Sequence, residues 1–320
     1  MKKIIIIGVG QLGFRHAQSF LGFGESLEIL LVERKKDQLT QTLTDLNGDK
    51  GIGNVNYIGS SDTPTNEEFD LAIIATNADV RYIVASELIK NNIVKNLILE
   101  KNIFQNKDDF NTFNNLITVN KVDTWVNCPM RSFKVYSELK LELDRKFPIE
   151  MNVVGNNWGL ACNSIHYIDL VAFLTESNCI SIRAGKLEVI ESKRAGFVEF
   201  NGSLSVEYNE MAMLNLTCGI ADEFTRSIEI INGETRFLLN ENERKLYKYC
   251  NEDIVAVCDF ELPFQSQMTA IVAHDIFNSP NKVQLPKFMT TKNLHMSYID
   301  FFLNKYNVLS GSNNQNCNIT

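Results

Sequence analysis

The first thirteen residues constrain the fold more than any other stretch. After Met1, Lys2 and Lys3 come Ile4, Ile5, Ile6 and Ile7, and then Gly8, Gly10 and Gly13 in the order G-x-G-x-x-G. Consecutive β-branched residues without polar alternation suit a central parallel strand covered on both faces. The glycines have separate tasks: a tight turn, close approach of the backbone to a pyrophosphate, and close packing of the next helix on the strand. A helical pattern through Phe20 follows, and its N-terminus offers unpaired N–H groups to an anion. Gly8, Gly10, Gln11, Leu12 and Gly13 are therefore the first candidate cofactor contacts.

Context strengthens this reading. A second apolar strand, Leu27 to Val32, ends at Glu33, twenty residues beyond Gly13. A dinucleotide fold places at that spacing the carboxylate that accepts hydrogen bonds from the adenosine ribose. Arg34 and Lys35 follow directly and would suit a 2′-phosphate, so the expected cofactor is NAD, with NADP as the other possibility. The competing interpretation of this N-terminus is a secretory signal. It fails because the apolar run breaks at Gly8 and polar Gln11, Arg15, His16 and Gln18 follow.

The chain has 320 residues, 44% of them hydrophobic, and a net charge of -8, enough for two domains. An acidic chain without clustered Lys and Arg argues against nucleic acid or a membrane surface as partner. The seven cysteines (128, 162, 179, 218, 250, 258 and 317) contain no C-x-x-C pair. That pattern suits free thiols in a reducing cytoplasm, with neither a disulfide framework nor a metal site.

Further apolar runs at Leu71 to Thr76 and Leu97 to Leu99, with helical spacing from Ala78 to Lys90 between them, predict a doubly wound parallel sheet. Asn106 reads as the N-cap of a helix to Val119, with Asp108 and Asp109 in its first turn. A strand from Val122 to Asn127 leads out of the domain. A helix from Phe133 to Lys146 and a strand from Ile149 to Val154 follow. From Ile180 to Phe260 many short, partly alternating strands are separated by Asn201-Gly202 and Asn232-Gly233, the signature of an antiparallel meander. Helices near Gln265 to Phe277 and Thr291 to Lys305 close the chain. The Asn- and Ser-rich residues 310–320 read as a disordered tail.

Together, "IIIIGVGQLGFRHAQSF", "ATNADVRY", "EKN", "GLACNSIHYIDLVAFL", "INGETRFLL" and "LPKFMTTKNLHMSYIDFFL" resemble the glucose-fructose oxidoreductase, inositol dehydrogenase and MocA family over nearly the whole chain. The resemblance implies an α/β protein. An N-terminal Rossmann domain would hold a doubly wound parallel sheet in residues 1–123. A C-terminal α/β domain with a large, mostly antiparallel sheet would follow in residues 124–309, binding substrate and building homodimers or homotetramers. The implied activity is hydride transfer between NAD(P) and a sugar, cyclitol or nucleotide-linked sugar. It adds Thr76, Asn77 and Glu100 to Arg34, Glu33 and the glycine turn as cofactor contacts.

In that family a Glu-Lys-Pro motif sets a lysine beside the nicotinamide, and a histidine four residues after an aspartate transfers the proton. Glu100 and Lys101 fall on the first motif and His166 on the second. Asn102 stands in place of the proline, which predicts a trans peptide, because a non-proline cis bond costs ~3 kcal/mol. Cys162 stands in place of the aspartate.

Histidine suits proton transfer coupled to hydride loss because its ordinary pKa lies near about 6.5. With a helix starting near Ser164, His166 and Asp169 would share a face, so Asp169 would orient the imidazole. Lys101, at the carboxyl end of a strand, would stabilise negative charge on a substrate oxygen. Trp158 and Tyr167 would either stack on a sugar or pack in the core. His16, His274 and His295 have no ligand-like spacing, and read as structural or surface residues. Cys162 and His166 as a nucleophilic pair is the weaker reading of those two residues. A dinucleotide-binding protein without turnover is the alternative motivated by Asn102 and Cys162. A methyltransferase, which also uses a glycine turn and an acid after the second strand, is a third.

Overall fold

The isoleucine run is fully enclosed: Ile4, Ile5 and Ile6 have no exposed surface and Ile7 has 5%. It forms β1 (Lys2–Ile7), which leads into α1 (Gln11–Gln18), β2 (Leu27–Val32), α2 (Lys36–Gly48) and β3 (Val55–Ser60). The two-residue β4 (Glu68–Phe69), β5 (Leu71–Ile74), α3 (Ala78–Asn91), the two-residue β6 (Ile93–Val94), β7 (Asn96–Glu100), α4 (Lys107–Val119) and β8 (Asp123–Asn127) complete the series. Six strands make one parallel sheet in the order β3-β2-β1-β5-β7-β8. Strand order reverses about β1, and a doubly wound sheet opens its ligand crevice at the carboxyl ends of the strands there. The expected cap at Asn106 is present, its side chain accepting the Asp109 N–H at 3.0 Å.

This computed structural model describes residues 1–48, 54–178 and 181–320 and divides into two units. One is Met1–Asn127 with Pro263–Lys292, the other Cys128–Leu262 with Asn293–Thr320. The second begins with a 3-10 turn, Pro129–Ser132, and α5 (Lys134–Glu142), followed by β9 (Ile149–Asn156) and α6 (Leu160–Thr175). Then come β10 (Ser181–Glu191), β11 (Val198–Tyr208), β12 (Ala212–Gly219), β13 (Thr225–Asn232), β14 (Thr235–Asn240), β15 (Lys245–Cys250) and β16 (Asp253–Asp259). These strands form an eight-stranded sheet in the order β10-β11-β12-β9-β13-β14-β15-β16. Among the described residues of this sheet, only the β12–β9 pair is parallel. Alternation is clean on β12, where Leu214, Leu216 and Cys218 are buried and Thr217 is exposed. The buried face carries α6, tied to the sheet by the Tyr208 hydroxyl donating to Ile168 O at 2.8 Å. Of the last helices, α7 (Gln265–Asn278) belongs to the first unit, and α8 (Phe288–Ser310) runs across the boundary at Lys292.

Four expectations are corrected. The first unit does not end at residue 123; it reaches Asn127 and resumes at Pro263. The cause is packing: Val272, Ala273, Ile276 and Leu285 join the core built by Ile4, Ile6, Phe20, Leu27 and Ile73, and the Val126 N–H donates to Pro286 O at 2.9 Å. The tail is not disordered, because Cys317 and Ile319 are buried and the Val198 N–H donates to Asn318 O at 2.8 Å. Helix α5 stops at Glu142 rather than at Lys146. Helix α6 starts at Leu160, four residues before Ser164, for a reason given below. Cys179 and Ile180 lie outside the described residues.

Candidate functional site

In the first unit the glycine turn has the geometry its sequence demands. Gly8 adopts φ +89°, and a Cβ there would lie 2.9 Å from the Thr76 N and Cγ2 atoms. A Cβ at Gly13 would fall 2.0 Å from Gly8 O, so α1 sits on β1 only because no side chain intervenes. Gly10, the N-cap of α1, has no side-chain cap, and nothing stands closer to its missing Cβ than Gln38 Nε2 at 3.7 Å. Gln11 is exposed and Leu12 half-buried. The first N–H groups of α1 thus lack intrahelical partners in front of an open backbone, the arrangement that receives a diphosphate.

Glu33 lies beside this turn. Its Oε2 accepts the Val9 N–H and its Oε1 the Lys35 N–H, each at 3.1 Å, while Gln38 Nε2 donates to Val9 O at 2.8 Å. A carboxylate accepts about four hydrogen bonds, so two positions remain for ribose hydroxyls. Arg34 is exposed next to it. Thr76 closes the turn from the end of β5, Asn77 follows as the N-cap of α3, and the Thr76 hydroxyl is buried without a hydrogen-bond partner. An open glycine backbone, a carboxylate with spare acceptor capacity and an orphaned hydroxyl together fit a dinucleotide.

Glu100, expected among the cofactor contacts, lies in a buried network. It is 3% exposed, and its Oε1 bonds to His16 Nε2 at 2.8 Å and accepts the Asn127 amide at 2.5 Å. His16 Nδ1 in turn lies 2.8 Å from Thr269 Oγ1, which accepts from Gln265 Nε2 at 2.8 Å. Burial pushes the Glu100 carboxyl up, but the bond and charge of His16, the charge of Arg81 and the Asn127 amide together hold it below the usual carboxylate range. Lys101, next along, is half-buried. The Lys101–Asn102 peptide is cis, not trans. The carbonyls on either side of it both accept from Arg81, a 2% exposed residue of α3 that the sequence reading passed over.

In the second unit α6 carries the other candidates. Gly159, in the left-handed region at φ +76°, is its N-cap, and the carboxylate of Glu199 from β11 accepts the N–H groups of Ala161 at 2.5 Å and Cys162 at 3.1 Å. This remote cap lets the helix begin four residues early, so half-buried His166 stands in its second turn. Asp169 is 1% exposed. Its Oδ2 accepts Arg131 Nε at 2.8 Å and its Oδ1 Arg131 Nη2 at 2.5 Å. Both oxygens therefore accept from a guanidinium fork. Burial pushes the Asp169 carboxyl above its ordinary value against the pull of Arg131. Trp158 and Tyr167 are core residues, 2% and 1% exposed, edge to face at 5.7 Å, with Trp158 Nε1 donating to Thr217 O at 2.9 Å. Sequence reasoning missed Glu199 and Arg131 as well as Arg81, since each acts on residues far away in the chain.

No protein-family model matches this sequence, and no curated protein matches it significantly. Solved structures do. UDP-N-acetylglucosamine 3-dehydrogenase GnnA from Acidithiobacillus ferrooxidans superposes with a TM-score of 0.70 at 14% identity, over 93% of this chain and 96% of that one. An oxidoreductase from Agrobacterium radiobacter, solved with NAD+, L-tartaric acid and magnesium, gives 0.68 at 13% identity over 97% and 96%. The super-repressor mutant of Gal80p from Saccharomyces cerevisiae gives 0.70 at 16% identity over 97% of each chain. The chain therefore has the fold of these three proteins, the two-part architecture implied by its resemblance to the glucose-fructose oxidoreductase, inositol dehydrogenase and MocA family.

Proposed function

We propose that the protein is an NAD(P)-dependent oxidoreductase of that family, acting on the CH–OH group of a sugar, cyclitol or nucleotide-linked sugar. The observation that carries the reading is the glycine turn with Glu33 fixed beside it by the Val9 N–H. Gly8, Gly10, Gln11, Leu12 and Gly13 would hold the diphosphate, with Thr76 and Asn77 closing over it. Glu33 would take the ribose hydroxyls, favouring NAD, and exposed Arg34 is the residue through which NADP would be tolerated.

A bound nicotinamide supplies the hydride acceptor or donor. Lys101 would hold the reacting hydroxyl and stabilise charge on its oxygen, and His166 would take or return its proton. Asp169 would serve through Arg131, anchoring α6 under His166. We further propose a cytoplasmic protein and a homodimer or homotetramer through the C-terminal sheet. No helix among the described residues is long and apolar enough to cross a membrane.

A second reading, cofactor binding without turnover, is favoured by Cys162 at the position of the expected aspartate. The deciding experiment has two stages. Calorimetry with NADH and NADPH should register binding of NADH at least about tenfold tighter, and heat with neither would end both readings. A panel of sugars, cyclitols and nucleotide sugars, followed by nicotinamide absorbance, then separates them: turnover with any compound supports the oxidoreductase, and tight binding with none supports the second reading.

A further inference from the structure

A buried arginine is expensive to desolvate and is retained only where its donors are satisfied. Arg81 turns both of its terminal nitrogens to main chain. Its Nη1 donates to Glu100 O at 2.8 Å, to Ile103 O at 3.2 Å and to Asn102 O, and its Nη2 donates to Thr76 O. Thr76 follows β5 and Glu100 ends β7, strands that pair from Ala72↔Leu97 to Ile74↔Leu99. One side chain therefore fastens together the carboxyl ends of two neighbouring strands, at the edge where such sheets bind ligands.

Two of the held carbonyls flank Lys101, one on each side in sequence. We infer that Arg81 is a positioning residue that sets Lys101 through the backbone, and that it meets neither the cofactor phosphates nor the substrate. An arginine at this edge would ordinarily be read as a phosphate anchor. The carbonyls it holds and its 2% exposure argue the opposite. Lysine could not replace it, because a single ammonium lacks the planar fork that reaches both strand ends. Thr76 also packs on Gly8, so the same guanidinium steadies the floor of the glycine turn. This inference rests on the proposed role of Lys101, but its test does not require turnover.

The full chain is compared with Arg81→Lys and Arg81→Met. Partial reductive methylation across a pH series, read by peptide mass spectrometry, reports the reactivity of each lysine. In both variants the pH profile of Lys101 should move by about one unit, or about tenfold in rate at fixed pH, while exposed Lys90 and Lys121 keep theirs. NADH affinity should change by less than about tenfold. A folded variant with an unmoved Lys101 profile overturns the inference. So does an NADH affinity loss beyond about a hundredfold with Lys101 unmoved, the mark of a phosphate anchor. If both variants unfold, 15N-arginine spectra of the wild-type chain decide. Arg81 Nη protons that exchange slowly and hold their shifts when NADH is added support it, and protons that exchange fast or shift strongly refute it. Failure of the cofactor reading looks different: the wild-type chain then binds neither NADH nor NADPH while the lysine profiles still report on Arg81.

Discussion

At Gly13 a single carbon decides what the turn tolerates, since a Cβ would sit 2.0 Å from Gly8 O. Glu33 is the more informative residue to change. Glu33→Ala removes an acceptor for ribose hydroxyls but none for a 2′-phosphate, so calorimetry should find NAD weakened by about tenfold or more and NADP much less; equal weakening would refute the ribose assignment. Lys101→Ala and His166→Ala should each lower kcat by about a hundredfold or more while leaving NADH affinity within a few fold; unchanged turnover removes that residue from the chemistry. The turn at the glycines and the place of Glu33 beside it were legible in the sequence because both follow from local backbone conformation at fixed spacing. The buried partner of Glu100 was not legible for the opposite reason: His16 lies 84 residues earlier, and nothing local distinguishes a carboxylate facing a ligand from one facing a buried imidazole.

Among the elements, α6 shows how a distant residue sets a local boundary. Gly159 takes the left-handed turn, but a glycine carries no capping side chain, and the carboxylate of Glu199 supplies the acceptor from a strand 38 residues on. A negative charge at a helix N-terminus also interacts favourably with the helix dipole. Glu199→Ala should cost ~1–2 kcal/mol in urea unfolding, the usual magnitude for a lost cap, and Glu199→Gln less, because an amide oxygen still accepts. An unchanged midpoint for Glu199→Ala would mean that the helix does not depend on this cap. The sheet strands were legible through alternation and Asn-Gly turns. The start of α6 was not, since its cap is absent from its own segment. For the same reason Arg131, 38 residues before Asp169, left no trace in the helical spacing that suggested a His166–Asp169 pair.

For the whole molecule, two buried carboxylates, one in each unit, give stability a pH dependence. Glu100 has a lowered pKa in the folded state, so its contribution is complete above the unfolded carboxyl value of about 4.3 and is lost as pH falls through the lowered value. Asp169, raised by burial, has the opposite sign: its contribution is present below the unfolded value of about 3.9 and is lost as pH rises through the raised one. Glu100→Gln should therefore be less stable than the wild type near neutral pH, with the gap closing below about pH 4 in denaturant titrations; a gap independent of pH would contradict this origin. A fragment of residues 1–127 lacks Val272, Ala273, Ile276 and Leu285 from its core and should remain partly unfolded by circular dichroism and amide exchange, whereas the same fragment with residues 263–292 joined to it should fold.

That returning segment has a consequence for how the chain is made. At synthesis rates of about 5–20 residues per second, the interval between the emergence of Asn127 and that of Pro263 is on the order of ten seconds. Throughout it, the apolar surface that α7 will cover stays open on the ribosome. The half of the protein translated first is thus among the last to be finished, and a chaperone working on the nascent chain would find its grip there.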